Sequence, residues 1–455
     1  MSKILLINPP FYRLLGSHYN DFPLGLSYIA AVLNINGHDA WIYNSDYESK
    51  VEYKTLSGIF DGSENYDNYF LDINHPLWQD IIDKILSFEP DWIGYTCYTA
   101  NIPAIDIISH KVKDVMPLVK QVVGGIHPSL DQNTLSVLSA IDFSISGQGE
   151  YSFLSLVDGA DSKSSVNIID NLDLLPFPER EKYYGISEDQ KKHIDRCHII
   201  TGRGCPYHCT YCAGPKSWVK NKLQFRTPES VLSELSFIKD HYWSPITQPE
   251  GNCSGLVISY NSTIYFIDDV FTVHKKRVME IMQLMVDRSL TMPWKCEARA
   301  DNLDEERCEL MKASGCIRVK MGFESGSERI LKQIKKGETK EQMRTAAMLL
   351  RKYDIPLTAY FMAGFPGETD EDLRQTIQFA KEIDADFYSI SILSPYYGTE
   401  IYDSLLTQGI QLDKMPWQYF YHQRPEPVVN GNLSKNLLVE YFNLNGWKKE
   451  TLGYV

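Results

Sequence analysis

Three cysteines stand on one short stretch, Gly202-Arg203-Gly204-Cys205-Pro206-Tyr207-His208-Cys209-Thr210-Tyr211-Cys212, with the spacing C-x3-C-x2-C. Three thiolates on a tight loop can converge on one metal centre. A four-iron cubane has four iron corners, so three cysteines leave one corner open to an outside ligand. That corner can take the amino and carboxylate groups of S-adenosylmethionine. One electron from the cluster can then break the carbon–sulfur bond and release a 5′-deoxyadenosyl radical. The protein's share of such chemistry is to position the cofactor and exclude competing reactions. The alternative is a structural zinc site, which usually has four closed ligands in paired cysteine elements. No second pair follows here: Cys97, Cys197, Cys253, Cys296, Cys308 and Cys316 are scattered singly.

The remaining composition sets the context for that loop. The chain has 455 residues, 43% of them hydrophobic and 23% charged, which is ordinary for a globular protein. Its formal net charge of -14 argues against a general nucleic-acid or anionic-membrane binder. The amino-terminal residues lack the shape of a signal peptide, and no apolar run reaches the roughly eighteen residues of a membrane span. The expectation is a cytoplasmic protein with reduced cysteines, in which clustered thiols read as metal ligands or catalytic groups before disulfides.

The elements around the loop fall into two series. Residues 1–157 alternate short apolar runs with amphipathic helices: strands near 4–8, 40–44, 92–96, 121–124 and 143–146, helices near 24–36 and 78–88. This pattern argues for a parallel sheet covered on both faces, a doubly wound α/β domain of flavodoxin-like type. Ligands in such folds bind at the carboxyl ends of the strands. Those ends are Asn8-Pro9-Pro10, Thr96 to Asn101, Gly124-Gly125-Ile126-His127-Pro128 and Gly147-Gln148-Gly149-Glu150. Residues 158–195 are polar and proline-punctuated and read as a linker. From 196 to 405 the alternation resumes in six strand–helix units, near 198–201, 263–267, 294–298, 318–322, 357–363 and 387–391. That is a partial (β/α)6 barrel of TIM-like type, with its chemistry at the strand carboxyl ends. A polar insert at 242–262 breaks the rhythm and could shape the substrate entrance. Residues 406–455 form a small C-terminal cap with one amphipathic helix near 433–447. Tyr396, Tyr397, Trp417, Tyr419, Phe420 and Tyr421 make its approach rich in aromatics, either to cover the open barrel and touch substrate or to pack as core.

With these stretches in order, the sequence resembles the radical S-adenosylmethionine superfamily, and more narrowly the branch with an amino-terminal cobalamin (B12)-binding domain. The resemblance runs over roughly residues 1–405. Besides the cysteine loop it is carried by Val123-Gly124-Gly125-Ile126-His127-Pro128, Gly147-Gln148-Gly149-Glu150, Leu175-Pro176-Phe177-Pro178, Phe266-Ile267-Asp268-Asp269, Ala298-Arg299-Ala300-Asp301, Gly322-Phe323-Glu324-Ser325-Gly326 and Gly364-Phe365-Pro366-Gly367-Glu368-Thr369. It implies that Cys205, Cys209 and Cys212 hold a [4Fe-4S] cluster. Tyr211 would lie by its backbone near the adenine of S-adenosylmethionine. Asp268 and Asp269 would accept from the methionine ammonium, and Arg299 would pair with the methionine carboxylate. Glu324 and Ser325 would meet ribose hydroxyls or the amino group, and Gly364 would let backbone approach the adenine.

The resemblance also implies cobalamin in the first domain, contacted from Pro10, Thr96, Tyr98, Gly124, Gly125, His127, Gly149 and Glu150, with Tyr95 and Asn101 as further candidates. The Asp-x-His-x-x-Gly motif of the cobalamin mutases is absent, so His127 reads as a loop residue near the corrin rather than a cobalt ligand. The implied reaction is methylation of an unactivated carbon of a small-molecule or peptide substrate. The electron would come from a donor such as flavodoxin or ferredoxin. Two alternatives stay open: a radical rearrangement, cyclisation, dehydration or epimerisation without methyl transfer, and a non-enzymatic metal-binding or redox-sensing protein.

Overall fold

The computed structural model describes residues 1–17, 22–48, 66–131, 133–159, 169–214, 222–245, 261–422, 424, 427, 429 and 432–446. The core of the insert, residues 246–260, and part of the linker, residues 160–168, lie outside the described residues, as does Cys253. The chain divides into two compact units. The first comprises Met1–Asp195 and Pro395–Arg424 with the short piece Cys212–Lys222; the second comprises Arg196–Tyr211, Leu223–Ser394 and Pro425–Val455.

The first unit is built on five parallel strands, β1 Lys3–Asn8, β2 Asp39–Asn44, β3 Trp92–Thr96, β4 Lys120–Gly124 and β5 Phe143–Ser144. Their order, 2-1-3-4-5, is that of a flavodoxin-like doubly wound sheet. The near-continuous apolar runs expected of strands buried on both faces are met in β1, where Ile4, Leu5, Leu6 and Ile7 are all fully buried. Residues 169–195 do not trail along the surface as a linker would. Backbone bonds join Ile42 to Lys182 (2.9 Å) and Tyr184 to Ile42 (2.7 Å), and Arg180 and Tyr183 are buried. The open edge of β2 offers unpaired amides, and this segment satisfies them. The segment Pro395–Arg424 returns to the same unit: Phe11 and Tyr66 each meet Tyr421 edge-on, and Tyr419 donates to Asp67 at 2.7 Å. The aromatic stretch is therefore packed core over the strand-end loops of the first unit.

The second unit holds six parallel strands in sequence order: β6 His198–Ile199, β9 Ile264–Phe266, β10 Trp294–Ala298, β11 Cys316–Glu324, β12 Leu357–Ala363 and β13 Phe387–Ile392. Among the described residues β6 and β13 do not pair, so this is an open six-stranded barrel. A small antiparallel pair, β7 Gly202–Arg203 and β8 Gln224–Phe225, stands beside it. Alternate residues of the barrel strands face the helices. Phe266 is fully buried there, stacked on Phe271 at 4.5 Å and edge-on to Trp294 at 5.3 Å. Phe266→Ala should cost about 3–5 kcal/mol of stability, read by chemical denaturation. A cost below about 1 kcal/mol would mean that this layer is not close-packed. The C-terminal helix is shorter than its sequence pattern, Lys435–Phe442, and runs on as a 3₁₀ turn. Among the described residues no helix is long and apolar enough to cross a membrane.

Candidate functional site

In the second unit the thiol loop leaves β7 and is anchored at its base. Arg277 is buried, and its guanidinium donates to the carbonyls of Thr201 (2.6 Å) and Arg226 (2.8 Å). Asp268 accepts both the amide (2.6 Å) and the hydroxyl (2.5 Å) of Thr201. Gly202 must be glycine, since a Cβ there would sit 2.8 Å from the Phe225 ring and 3.1 Å from the Gln224 carbonyl oxygen. Gly204 turns the chain with φ +93°. Further along, the Thr210 amide donates to the Ile334 carbonyl at 3.0 Å, and Asn302 donates to the Tyr207 hydroxyl at 2.9 Å.

Cys205, Cys209 and Cys212 stand outside any disulfide and are half-buried, whereas Cys97, Cys197, Cys296, Cys308 and Cys316 are fully buried. Burial pushes the Cys205 thiol up to about 11, with the Tyr207 amide and the Arg299 charge pulling the other way. Burial also raises Cys209, and there Lys336 and Arg299 oppose it. Among the described residues no three His, Cys, Asp or Glu side chains converge as ligands of a single ion. A cubane does not ask for that convergence, because each thiolate takes its own iron corner. Three half-buried thiols within one loop are a donor set that suits a three-thiolate cubane.

The strand ends divide into groups that are free to meet a ligand and groups that are already used. Asp269 is exposed at the end of β9, yet burial and the neighbouring Asp268 charge raise its carboxyl to about 6, with the Gly204 amide opposing. Asp268 is different: it is buried, and both oxygens are held by Thr201, so it supports the loop instead of meeting an ammonium. Arg299 also departs from expectation. It donates to Asp301 (3.1 and 3.0 Å) and to the Lys336 carbonyl (3.0 Å), pairs with Glu338 (3.3 Å) and lies 3.5 Å over the Tyr207 ring. Its fork is committed to bracing the thiol loop and is not open for a bidentate carboxylate.

Ser325 is likewise engaged within the fold. Its fully buried hydroxyl bonds Thr376 at 3.0 Å and accepts from the Ser327 amide at 3.1 Å. Glu324 pairs with Lys336 at 3.3 Å and holds φ +64°, a left-handed conformation rare for a non-glycine residue. Such strain clusters where a site over-determines the backbone. Gly364, φ +88°, donates its amide to Glu368 at 2.6 Å, and Phe365 does so at 3.0 Å. Burial raises the Glu368 carboxyl to about 7 while those amides pull it down. The Tyr211 ring lies 6.1 Å from Phe365, which brings the thiol loop and the Gly364 turn together.

In the first unit the β3 and β4 ends form one knot. The Cys97 amide donates to the Gly124 carbonyl (2.7 Å) and the His127 amide to the Cys97 carbonyl (3.0 Å). Gly125 has φ +109°, and a Cβ there would lie 3.0 Å from the Cys97 nitrogen and 3.1 Å from its oxygen. Gly124 is under no such constraint. Pro10 is buried and Thr96 half-buried. Gly149 caps the helix Glu150–Val157, where a Cβ would meet Ile29 at 3.1 Å, and Glu150 is buried. Tyr95 is buried as well and donates to Gln121 at 2.6 Å. Asn101 is likewise buried, so Tyr95 and Asn101 pack instead of facing a ring.

His127 is held within the first unit. It is fully buried, with Nδ1 3.0 Å from Thr99 and its ring between Tyr397 and Trp417. Tyr98 stands apart from the rest. It is 52% exposed, and burial of its hydroxyl raises its phenol. Tyr396 and His422 meet in the same unit. The Tyr396 hydroxyl lies 3.2 Å from His422 Nδ1, burial raises the Tyr396 phenol, and burial holds the exposed His422 imidazole down to about 4. Sequence reasoning missed His422, Glu368, Glu338 and Lys336.

Two family models match the chain. A B12 binding domain matches residues 17–157, and the Radical SAM superfamily matches residues 199–380. An uncharacterized methyltransferase of Pyrococcus horikoshii is 28% identical over 92% of this chain and 86% of its own. The anaerobic magnesium-protoporphyrin IX monomethyl ester cyclase of Rubrivivax gelatinosus is 25% identical over 85% of this chain and 72% of its own. Among solved structures, the radical S-adenosylmethionine methyltransferase TsrM of Kitasatospora setae, with cobalamin and a [4Fe-4S] cluster bound, superposes with a TM-score of 0.63. That match is at 16% identity and covers 91% of this chain and 80% of that one.

Proposed function

The chain belongs to the radical S-adenosylmethionine superfamily, in the branch with an amino-terminal B12-binding domain, and from that premise we propose a cobalamin-dependent methylation of an unactivated carbon. The observation that carries the proposal is a loop with three half-buried cysteines in C-x3-C-x2-C spacing at the strand ends of an open barrel, in a chain that also has a flavodoxin-like B12-binding sheet. When bound, the cluster supplies the electron that cleaves S-adenosylmethionine and cobalamin supplies the transferable methyl group. The protein's own groups bind and orient. Cys205, Cys209 and Cys212 hold three iron corners. Arg277, Asp268 and Arg299 keep their loop rigid. Asp269 offers an acceptor to the methionine ammonium, and the Gly364 turn, stapled by Glu368, presents backbone to the adenine beside Tyr211. In the first unit the Cys97–Gly125 knot, Thr96 and Tyr98 present the polar edge and the ring that a corrin needs. The substrate is a small molecule or peptide, and a flavodoxin- or ferredoxin-like donor delivers the electron.

The test is anaerobic reconstitution followed by metal analysis, cobalamin titration and product analysis. About four irons, bound corrin, and both 5′-deoxyadenosine and S-adenosylhomocysteine are expected with the true substrate. A second reading, radical chemistry without methyl transfer, is favoured by the likeness to a named cyclase. Under it only 5′-deoxyadenosine forms, and bound corrin is not required for turnover.

Asp269 gives this reading a pH dependence. Its carboxyl, raised to about 6, is largely protonated in acid and meets an ammonium well only once ionised. Affinity for S-adenosylmethionine should therefore rise as the pH climbs through about 6 and level off above it. Asp269→Asn should bind about tenfold more weakly at neutral pH and lose the slope, since a tenfold change corresponds to about one pKa unit of interaction. Binding titrations of the reconstituted protein from about pH 5 to about pH 8 check this. An Asn variant with the wild-type slope would remove Asp269 from the site.

A further inference from the structure

Lys336 follows the helix Glu328–Gln333 and is only 5% exposed. A lysine this deep needs anionic partners, because stripping an ammonium of water is costly. It has two: Glu324 Oε1 and Glu338 Oε2, each at 3.3 Å. Burial pulls its pKa down, but these carboxylates more than reverse that and leave it raised, so the side chain is a permanent cation. Its place is fixed relative to the thiol loop by main-chain bonds on either side. The Ile334 carbonyl holds the amide of Thr210, the residue directly after Cys209, at 3.0 Å. The Lys336 carbonyl accepts from Arg299 at 3.0 Å, and Arg299 in turn lies 3.5 Å over the ring of Tyr207. Gly322 leaves room for the ammonium: a Cβ there would come within 3.2 Å of Nζ.

We propose that Lys336 is an electrostatic tuning residue of the iron–sulfur cluster, a fixed buried cation two residues beyond the Ile334 carbonyl that anchors the thiol loop, and that it raises the cluster's reduction potential. The inference rests on the reading of Cys205, Cys209 and Cys212 as cluster ligands. Reduction adds one negative charge to the cluster. A nearby cation in a weakly screening interior stabilises the reduced form more than the oxidised one. Glu324 and Glu338 share the lysine's charge, so they temper the effect and also keep the ammonium from losing its proton. The site thus carries its own means of making electron acceptance easier.

The experiment compares full-length, anaerobically reconstituted wild type, Lys336→Gln and Lys336→Arg by reductive titration followed by electron paramagnetic resonance, without S-adenosylmethionine. Lys336→Gln should load iron and shift its midpoint to more negative potential by at least about 59 mV, a tenfold change for a one-electron couple. Lys336→Arg should restore the wild-type midpoint to within that margin. A loaded Gln variant inside the margin, or an Arg variant that fails to restore it, overturns the proposal. If Lys336→Gln cannot take up iron, K336Q/E338Q removes the stranded carboxylate and is scored by the same criterion. If neither loads, Lys336 is a structural strut and the proposal fails. A wild-type protein that forms no cubane would instead sink the cluster reading itself.

Discussion

Changing Cys205, Cys209 or Cys212 to alanine, singly, should abolish cleavage of S-adenosylmethionine while leaving the fold in place. The fold is expected to survive because the loop is held from outside its thiols. Arg277 and Asp268 secure its base, the Ile334 carbonyl holds Thr210, and Arg299 braces Tyr207. Each thiol is half-buried, so its removal leaves no large cavity. The chemistry should not survive, because two thiolates cannot keep a cubane with one defined open corner. Iron content should fall from about four per chain toward zero, with 5′-deoxyadenosine at background. Circular dichroism and the denaturation midpoint should stay near wild type. The same substitution at Cys296 or Cys316, both fully buried on the barrel strands, should do the reverse and cost stability while the iron is retained. A Cys209→Ala protein that still cleaves S-adenosylmethionine would dismantle the assignment.

The cysteine loop was legible because its ligands lie within eight consecutive residues, so spacing alone constrains their geometry. The first sheet was legible for a related reason: apolar runs alternating with amphipathic helices admit few topologies once crossover rules apply. The roles of individual strand-end residues were less legible. Position at a strand end places a side chain near the ligand edge, but it does not tell whether its hydrogen-bonding capacity is already spent. Arg299 is spent on Glu338 and the Lys336 carbonyl, 39 and 37 residues away, and His127 is enclosed by Tyr397 and Trp417, some 270 and 290 residues away. Ser325 is consumed by Thr376, and Asp268 by Thr201. Lys335 and Lys336 are adjacent lysines with nothing in the sequence to distinguish them, and only the fold turns Lys336 inward onto Glu324 and Glu338. The return of Pro395–Arg424 to the first unit rests on aromatic contacts such as Tyr66 with Tyr421, which carry no local periodicity at all.

Gly125→Ala should separate the two halves of the chemistry. Gly125 holds φ +109°, where an L-residue is strained by itself, and a Cβ would press on the Cys97 nitrogen and oxygen at 3.0 and 3.1 Å. Both of those atoms are in use, the nitrogen donating to Gly124 and the oxygen accepting from His127. Backbone atoms of two paired loops cannot rotate away as a flexible side chain could, so the Thr96–Tyr98 segment must move. The strain should cost the first unit about 1–3 kcal/mol and should weaken cobalamin binding at least tenfold. The thiol loop belongs to the barrel's own framework of bonds, so iron loading and formation of 5′-deoxyadenosine should persist. S-adenosylhomocysteine, the mark of methyl transfer, should fall with the bound corrin. Cobalamin titration, iron analysis and the ratio of the two products read all of this on one preparation. If corrin binding is lost and product formation with the true substrate is unchanged, the methyl group does not travel by way of cobalamin and the cyclase-like reading takes its place. If corrin binding itself is unchanged, the Cys97–Gly125 knot is not where the first unit meets the ring.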